Sequence, residues 1–254
     1  MRIKELDLIK WLAIIFMVID HLRFLDVINS VGFGLYSVGR LAFPLFCFVL
    51  AYNFFRTEGQ FNTEKSDFRY ISSLLIFFLV SELPYRFFGE MQFNSMNIML
   101  TLALSFTLLY AFIRDTRALV LEPSFVCLAV VLTTIGLELT DNFKVQYGIG
   151  GVFLPLAMYF ALREKKLRYF FWVIFCAGFM NLDFQGGGLF NSFNALLLSI
   201  IPMVASIVGA LLPFLIIQSN IKMNISPIKK WGYYFYPGHF IVLGVARMIY
   251  RMVL

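Results

Sequence analysis

Nine apolar runs, most of them about 20 residues long, dominate this chain of 254 residues. That length lets a helix cross a ~30 Å hydrocarbon layer at ~1.5 Å rise per residue. The runs are Leu8–Ile28, Gly34–Phe55, Tyr70–Phe88, Asn94–Ile113, Ala118–Leu137, Tyr147–Leu162, Tyr169–Phe184, Asn194–Ile217 and Gly232–Arg251. The sixth and seventh are short, which leaves eight helices or a re-entrant segment open. The runs are continuous and lack the alternation of a membrane barrel. The composition, 60% hydrophobic and 14% charged, leaves too little polar surface to cover a soluble domain. The fold expected is all-α: a polytopic membrane helix bundle of about nine transmembrane helices, one domain over residues 1–254.

The first run is too long for a signal-peptide core and no small-residue cleavage site follows it, so it reads as a retained helix. The charges place its start. Lys and Arg gather in alternate connections: Arg2, Lys4 and Lys10; Arg56, Lys65 and Arg69; Arg114 and Arg117; Arg163, Lys165, Lys166 and Arg168; Lys222, Lys229 and Lys230. The intervening connections hold only Arg86 and Lys144. The basic side marks the cytoplasm, so the N-terminus is expected inside. The net charge of +6 is thereby a topology signal rather than a nucleic-acid patch. Cys47, Cys127 and Cys176 all fall within spans and show no metal or disulfide spacing. Pro44, Pro84 and Pro213 are expected to kink their helices. Gly186, Gly187 and Gly188 read as a mobile outer loop.

Ionisable groups inside spans are costly and mark function or pairing. Here they are Asp20, His21, Arg40, Glu82 and His239. Counted from the cytoplasmic end of each run at ~1.5 Å per residue, Asp20 lies at ~18 Å, His21 at ~20 Å, Glu82 at ~18 Å and Arg40 at ~21 Å. His239 comes out lower, at ~11 Å. Asp20 and His21 point ~100° apart on a helix, so different partners are expected, with Arg23 or Arg40 for the acid. One reading is a structural charge network. The other makes His21 a proton acceptor, with an Arg holding a developing oxyanion and a carboxylate orienting the imidazole or binding an amine. These parts suit acyl transfer, and they equally suit a proton-coupled transporter.

Five stretches, in order, carry a resemblance. They are DLIKWLAIIFMVIDHL (Asp7–Leu22), GRLAFPLFCFVLAYNFFRT (Gly39–Thr57), SELPY (Ser81–Tyr85) with NIMLTL (Asn97–Leu102), YGIGG (Tyr147–Gly151) and FYPGHFIVLG (Phe235–Gly244). They resemble the TraX family of integral-membrane proteins, known from conjugative plasmids as acetylases of the pilin N-terminus. More distantly, the family is similar to other transmembrane acyltransferases. Gly238 departs from the family, which often has a bulkier residue before the His. The resemblance implies that Asp20, His21, Gly39, Arg40, Glu82, Asn97 and His239 belong to the active region. It implies an acetyl-CoA-dependent enzyme of the inner (cytoplasmic) membrane, without a metal. Acetyl would pass from cytoplasmic acetyl-CoA to an amine at the outer face, on a pilin-like or other exported protein. His21 would be the base or a transient acetyl carrier, and His239 the alternate base or a contact to the pantetheine arm. Asp20 and Glu82 would set the electrostatics, and Arg40 would hold the carbonyl oxygen or pair with Asp20. Lys165, Lys166, Lys229 and Lys230, with Asn97, are the candidate contacts to the donor. The alternative acceptor is a hydroxyl or amine on a surface glycan.

Overall fold

The structure is a computed structural model that describes residues 2–25, 31–58, 64–88, 95–113, 122–140, 143–181, 193–219, 225–228 and 231–253. Ten helices follow one another among them: α1 (Lys4–Leu22), α2 (Gly32–Gly39), α3 (Ala42–Thr57), α4 (Glu64–Phe88) and α5 (Ile98–Ile113), then α6 (Pro123–Glu138), α7 (Gly148–Glu164), α8 (Leu167–Phe179), α9 (Phe193–Gln218) and α10 (Trp231–Val253). The described residues hold no strand, only an isolated bridge between Ser95 and Lys144. Each of the nine apolar runs is represented, because α2 and α3 make up one run. By length and composition, Gly32–Thr57, Lys65–Phe88 and Ser199–Gln218 can cross a membrane. Ile98–Ile113, Pro123–Glu138 and Leu167–Phe179 are shorter apolar helices.

The short sixth and seventh runs resolve into two separate helices. Lys165 takes a left-handed conformation (φ 52°) after α7 and turns the chain directly into α8. That is a common way to stop a helix within one residue. The Arg86, Lys144 and Met180 ends of α4, α7 and α8 thus meet at one end of the bundle. Lys65, Arg69 and Tyr110 meet at the other, where Arg163 also pairs with Glu58.

The second run is not one straight helix. It breaks at Arg40–Leu41. Pro44 explains the position: it has no N–H for the carbonyl of Arg40, four residues back, and its ring crowds that carbonyl. The expected kink therefore falls one turn before the proline. Pro84, Pro202 and Pro213 lie inside helices that continue through them.

The core lies around α3 and α7, which pack on each other and on α5, with Phe43, Phe48 and Tyr159 almost fully buried. α10 packs on α4, where Phe240 is buried against Tyr85, Phe88 and His21 of α1. The outward faces are apolar too: Leu83 is 74% exposed and Val242 67%. A soluble protein rarely shows so large an apolar surface, whereas lipid covers it at no cost.

Candidate functional site

A cavity of about 640 Å³ opens at the bundle end where α1, α4 and α8 finish and α7 begins. Its wall includes Asp20, His21, Arg23, Tyr36, Arg40, Tyr85, Glu138, Lys144, Tyr147 and Asn181.

His21 meets His239 at its inner wall. His21 Nδ1 lies 2.8 Å from His239 Nε2, and the rings are nearly parallel, 4.9 Å between centroids. This corrects the separation in depth expected between the two histidines. Trp11 of α1 packs on Trp231 of α10 at 5.4 Å, so the two helices share a level there. From that level His21 is ten residues away, ~15 Å, and His239 eight, ~12 Å. Counting the first span from Leu8 puts His21 too deep, and the helix ends at Leu22 rather than running to Ile28.

The pair has a defined direction. His239 Nδ1 is 3.1 Å from the carbonyl oxygen of Phe235, which only accepts, so Nδ1 carries the proton. In the neutral ring Nε2 is then bare and accepts from His21 Nδ1–H. The Nε2 of neutral His21 then keeps its lone pair, with no hydrogen-bond donor to it among the described residues. His21 lines the cavity, and His239 stands behind it, outside the lining.

Asp20 turns away from His21, as expected from their angular separation. Its Oδ1 is 3.1 Å from Arg23 Nε, an ion pair without hydrogen-bond alignment. Tyr36 of α2 lies under two guanidinium groups: Arg23 Cζ is 4.6 Å and Arg40 Cζ 4.0 Å from its ring centroid. Arg40 also approaches Tyr147, at 5.1 Å. Two cations thus share one carboxylate here. Arg40 Nε is buried and has no hydrogen-bond partner among the described residues. Gly39 lets α2 come this close, since a Cβ there would sit 2.2 Å from Asp20 Cβ.

The helix break aims Arg40. Its carbonyl, freed by Pro44, accepts a long hydrogen bond (3.5 Å) from Ser206 Oγ of α9. Asn181 Nδ2 donates to that same Oγ at 2.8 Å and to Ala177 O at 3.0 Å. Gly209 brings α9 onto this turn, because a Cβ there would lie 2.9 Å from Leu41 Cα. Tyr147 adds a strained neighbour, with φ 66°. A non-glycine residue in that region is held only by its surroundings. Its ring stacks on Phe43 at 4.3 Å, and Thr101 Oγ1 donates to the adjacent Gln146 carbonyl at 2.7 Å.

Glu82 belongs to a separate cluster. Arg86 Nε donates to its Oε1 at 2.7 Å, and Asn97 donates to its Oε2 through Nδ2 at 2.8 Å and through the backbone N–H at 3.1 Å. Asn97 Oδ1 accepts from Met99 N–H at 3.0 Å, which caps the start of α5. Both residues are engaged within the chain, and neither lines the cavity. Lys165 and Lys166 sit at the far end of α7, ~27 Å from Tyr147. Lys166 Nζ is 2.9 Å from Glu164 Oε2, and that bond holds the Glu164 carboxyl below its ordinary range. Lys229, Lys230 and Gly186–Gly188 lie outside the described residues.

Of the groups evident in the sequence, the fold brings Asp20, His21, Arg40 and His239 together. Tyr36, Asn181 and Ser206 join them without having stood out by residue type. The proline four residues after Arg40 was the available signal for Ser206, since it orphans a carbonyl that some hydroxyl must satisfy.

An apolar-surfaced helical bundle around a buried polar cluster defines the class: a membrane protein with a site between its helices. The family model described as TraX protein matches residues 5–247. The chain belongs to the TraX family. No curated protein and no solved structure matches it.

Proposed function

We propose that the chain is a nine-span acetyltransferase of the inner membrane, with its N-terminus in the cytoplasm. It moves acetyl from cytoplasmic acetyl-CoA to an amine at the outer face, on the N-terminus of a pilin-like or other exported protein. The observation that carries this reading is the directed His21–His239 hydrogen bond at the wall of the cavity. TraX membership supports it. The orientation rests on charge: the cavity end has the connections poor in Lys and Arg, and the opposite end has the rich ones.

In this reading acetyl-CoA supplies a thioester carbonyl. The acceptor nitrogen attacks it, and His21 Nε2 takes the proton that the amine gives up. His239 keeps the His21 ring in the tautomer that leaves Nε2 free, as the orienting partner of a catalytic base does. Arg40 holds the oxyanion with the Nε–H that has no partner among the described residues. As the C–S bond breaks, the sulfur takes the proton from the His21 imidazolium, so the amide and the free thiol leave and the pair returns to neutral. Asp20 keeps Arg23 and Arg40 from repelling each other beside Tyr36.

The test is acetyl transfer by the purified protein in lipid nanodiscs, with isotope-labelled acetyl-CoA and a short peptide bearing a free N-terminus. Label on the peptide N-terminus is the expected result. Absence of label from peptide and glycan acceptors alike, together with proton flux in sealed liposomes, returns the cluster to the transporter reading. A reporter inserted after Lys166 should mark the cytoplasm, and an outside signal there would reverse the direction of transfer.

A further inference from the structure

We propose that the cationic start of α4 is a binding site for the phosphate headgroup of an anionic phospholipid. A second groove, of about 670 Å³, lies at the bundle end opposite the cavity. It is lined by Lys65, Phe68, Arg69 and Ser72 of α4 and by Tyr110 of α5. Those four α4 positions have the spacing i, i+3, i+4, i+7 and so share one helix face. Two cations and two hydroxyl groups on one groove match the charge and the acceptor oxygens of a phosphate. Asp67, between the cations in sequence, is 8% exposed and faces the interior.

The rest of the same helix face identifies the ligand as a lipid. Ile76, Leu79, Leu83 and Phe87 continue the stripe, and Leu79 and Leu83 are 67% and 74% exposed. Phe68 itself is 74% exposed. A charged head held at Lys65 and Arg69 would therefore lay its acyl chains on an uninterrupted apolar track. A nucleotide phosphate has no use for that track. The basic connection also places this end at the cytoplasmic leaflet, where anionic lipid attracts basic residues. The inference is independent of the acetyltransferase reading.

Native mass spectrometry of the delipidated full chain tests it, with phosphatidylglycerol and phosphatidylcholine of identical acyl chains. The parent protein should retain one phosphatidylglycerol in preference to phosphatidylcholine. Lys65→Gln with Arg69→Gln should weaken that retention about 30-fold, the factor expected for two basic residues at an anionic surface. Lys65→Arg with Arg69→Lys should restore it. Equal retention of both lipids by the parent, or parent-level retention by the doubly neutralised protein, overturns the site. Displacement of the bound lipid by coenzyme A at equimolar concentration assigns the groove to a nucleotide phosphate and overturns the lipid reading. Acetyl transfer is read in a separate assay, so failure there leaves this result unaffected.

Discussion

The two ends of the bundle use the same charged residue types in opposite ways. At the end that carries the N-terminus, Glu58 meets Arg163 at 3.5 Å with side chains 33% and 48% exposed. Water screens such a pair, and its worth is about 0–1 kcal/mol. At the cavity end Asp20 meets Arg23 at 3.1 Å with side chains 12% and 26% exposed. There the acid is packed against Gly39, and two cations converge on one ring. Asp7 is the exception at the first end. Its carboxylate is buried between Arg2 and Lys10, and Arg2 also donates to the Ile225 carbonyl, which ties the N-terminus to the approach to α10. Charge placement, not charge content, thus separates a topology signal from a site.

The heaviest loss should fall on chemistry. His21→Ala should lower acetyl transfer by roughly 100- to 10,000-fold, the usual cost of losing a general base. The melting temperature should hardly change, because a small apolar residue suits a membrane helix. His239→Ala should also slow transfer, through the lost orientation of His21. A His21→Ala protein within a few-fold of the parent rate would mean that the pair is structural.

Asp20→Asn comes next, and it should act on both stability and activity. It leaves Arg23 and Arg40 over Tyr36 without a counter-charge. Breaking a buried pair on one side costs about 3–5 kcal/mol, and partial exposure of Arg23 puts this site at the low end. The same loss should appear in transfer, since Arg40 is no longer held. Thermal unfolding in detergent, read beside the transfer rate, checks it. Gly39→Ala should follow at about 1–3 kcal/mol, the range for overpacking, because its Cβ would displace Asp20. Parent-like stability and activity in Gly39→Ala would show that α1 and α2 do not need this close approach.

Much of the bundle was legible because membrane helices announce themselves by length. The alternation of nine apolar runs and basic connections already gives the up-and-down order. Asp20, His21, Arg40 and His239 stood out because a charge or imidazole within an apolar run has no cheap explanation. Their pairing was not legible. Helix depth counted from a run's first apolar residue missed that α1 continues past the Trp11–Trp231 level, and that error separated two histidines that touch. Glu82 shared the calculated layer with Asp20 but faces Arg86 and Asn97, because depth says nothing about azimuth. Ser206 and Asn181 are small polar residues of a kind common in helices, and only their contact with the freed Arg40 carbonyl gives them a role.

That contact yields a smaller effect. Ser206→Ala removes a hydroxyl worth about 1 kcal/mol and leaves the Arg40 carbonyl without its donor. Transfer should fall about fivefold through kcat, with KM for the acceptor little changed, as a positioning role demands. Ser206→Thr should restore it. Equal losses in the two variants would assign the effect to packing against α2 and α3 instead.

The least change belongs to the opposite end of the bundle. Glu58 and Arg163 join the ends of α3 and α7 across a 3.5 Å gap in partial contact with solvent. Glu58→Gln and Arg163→Gln should each change stability by less than about 1 kcal/mol, and a double-mutant cycle should find a coupling of a few tenths that fades in high salt. Acetyl transfer should be unchanged in all three proteins, since Glu58 lies 12 to 16 residues, ~18–24 Å, along α3 from Phe46 and Ala42, which line a small cavity with His21. The contrast with Asp20→Asn is the measurement that matters. If Glu58→Gln destabilised the chain as much as Asp20→Asn, burial would not distinguish the ends. The acid at the end of α1 would then be one more pair holding helices together, with no claim to shaping the site.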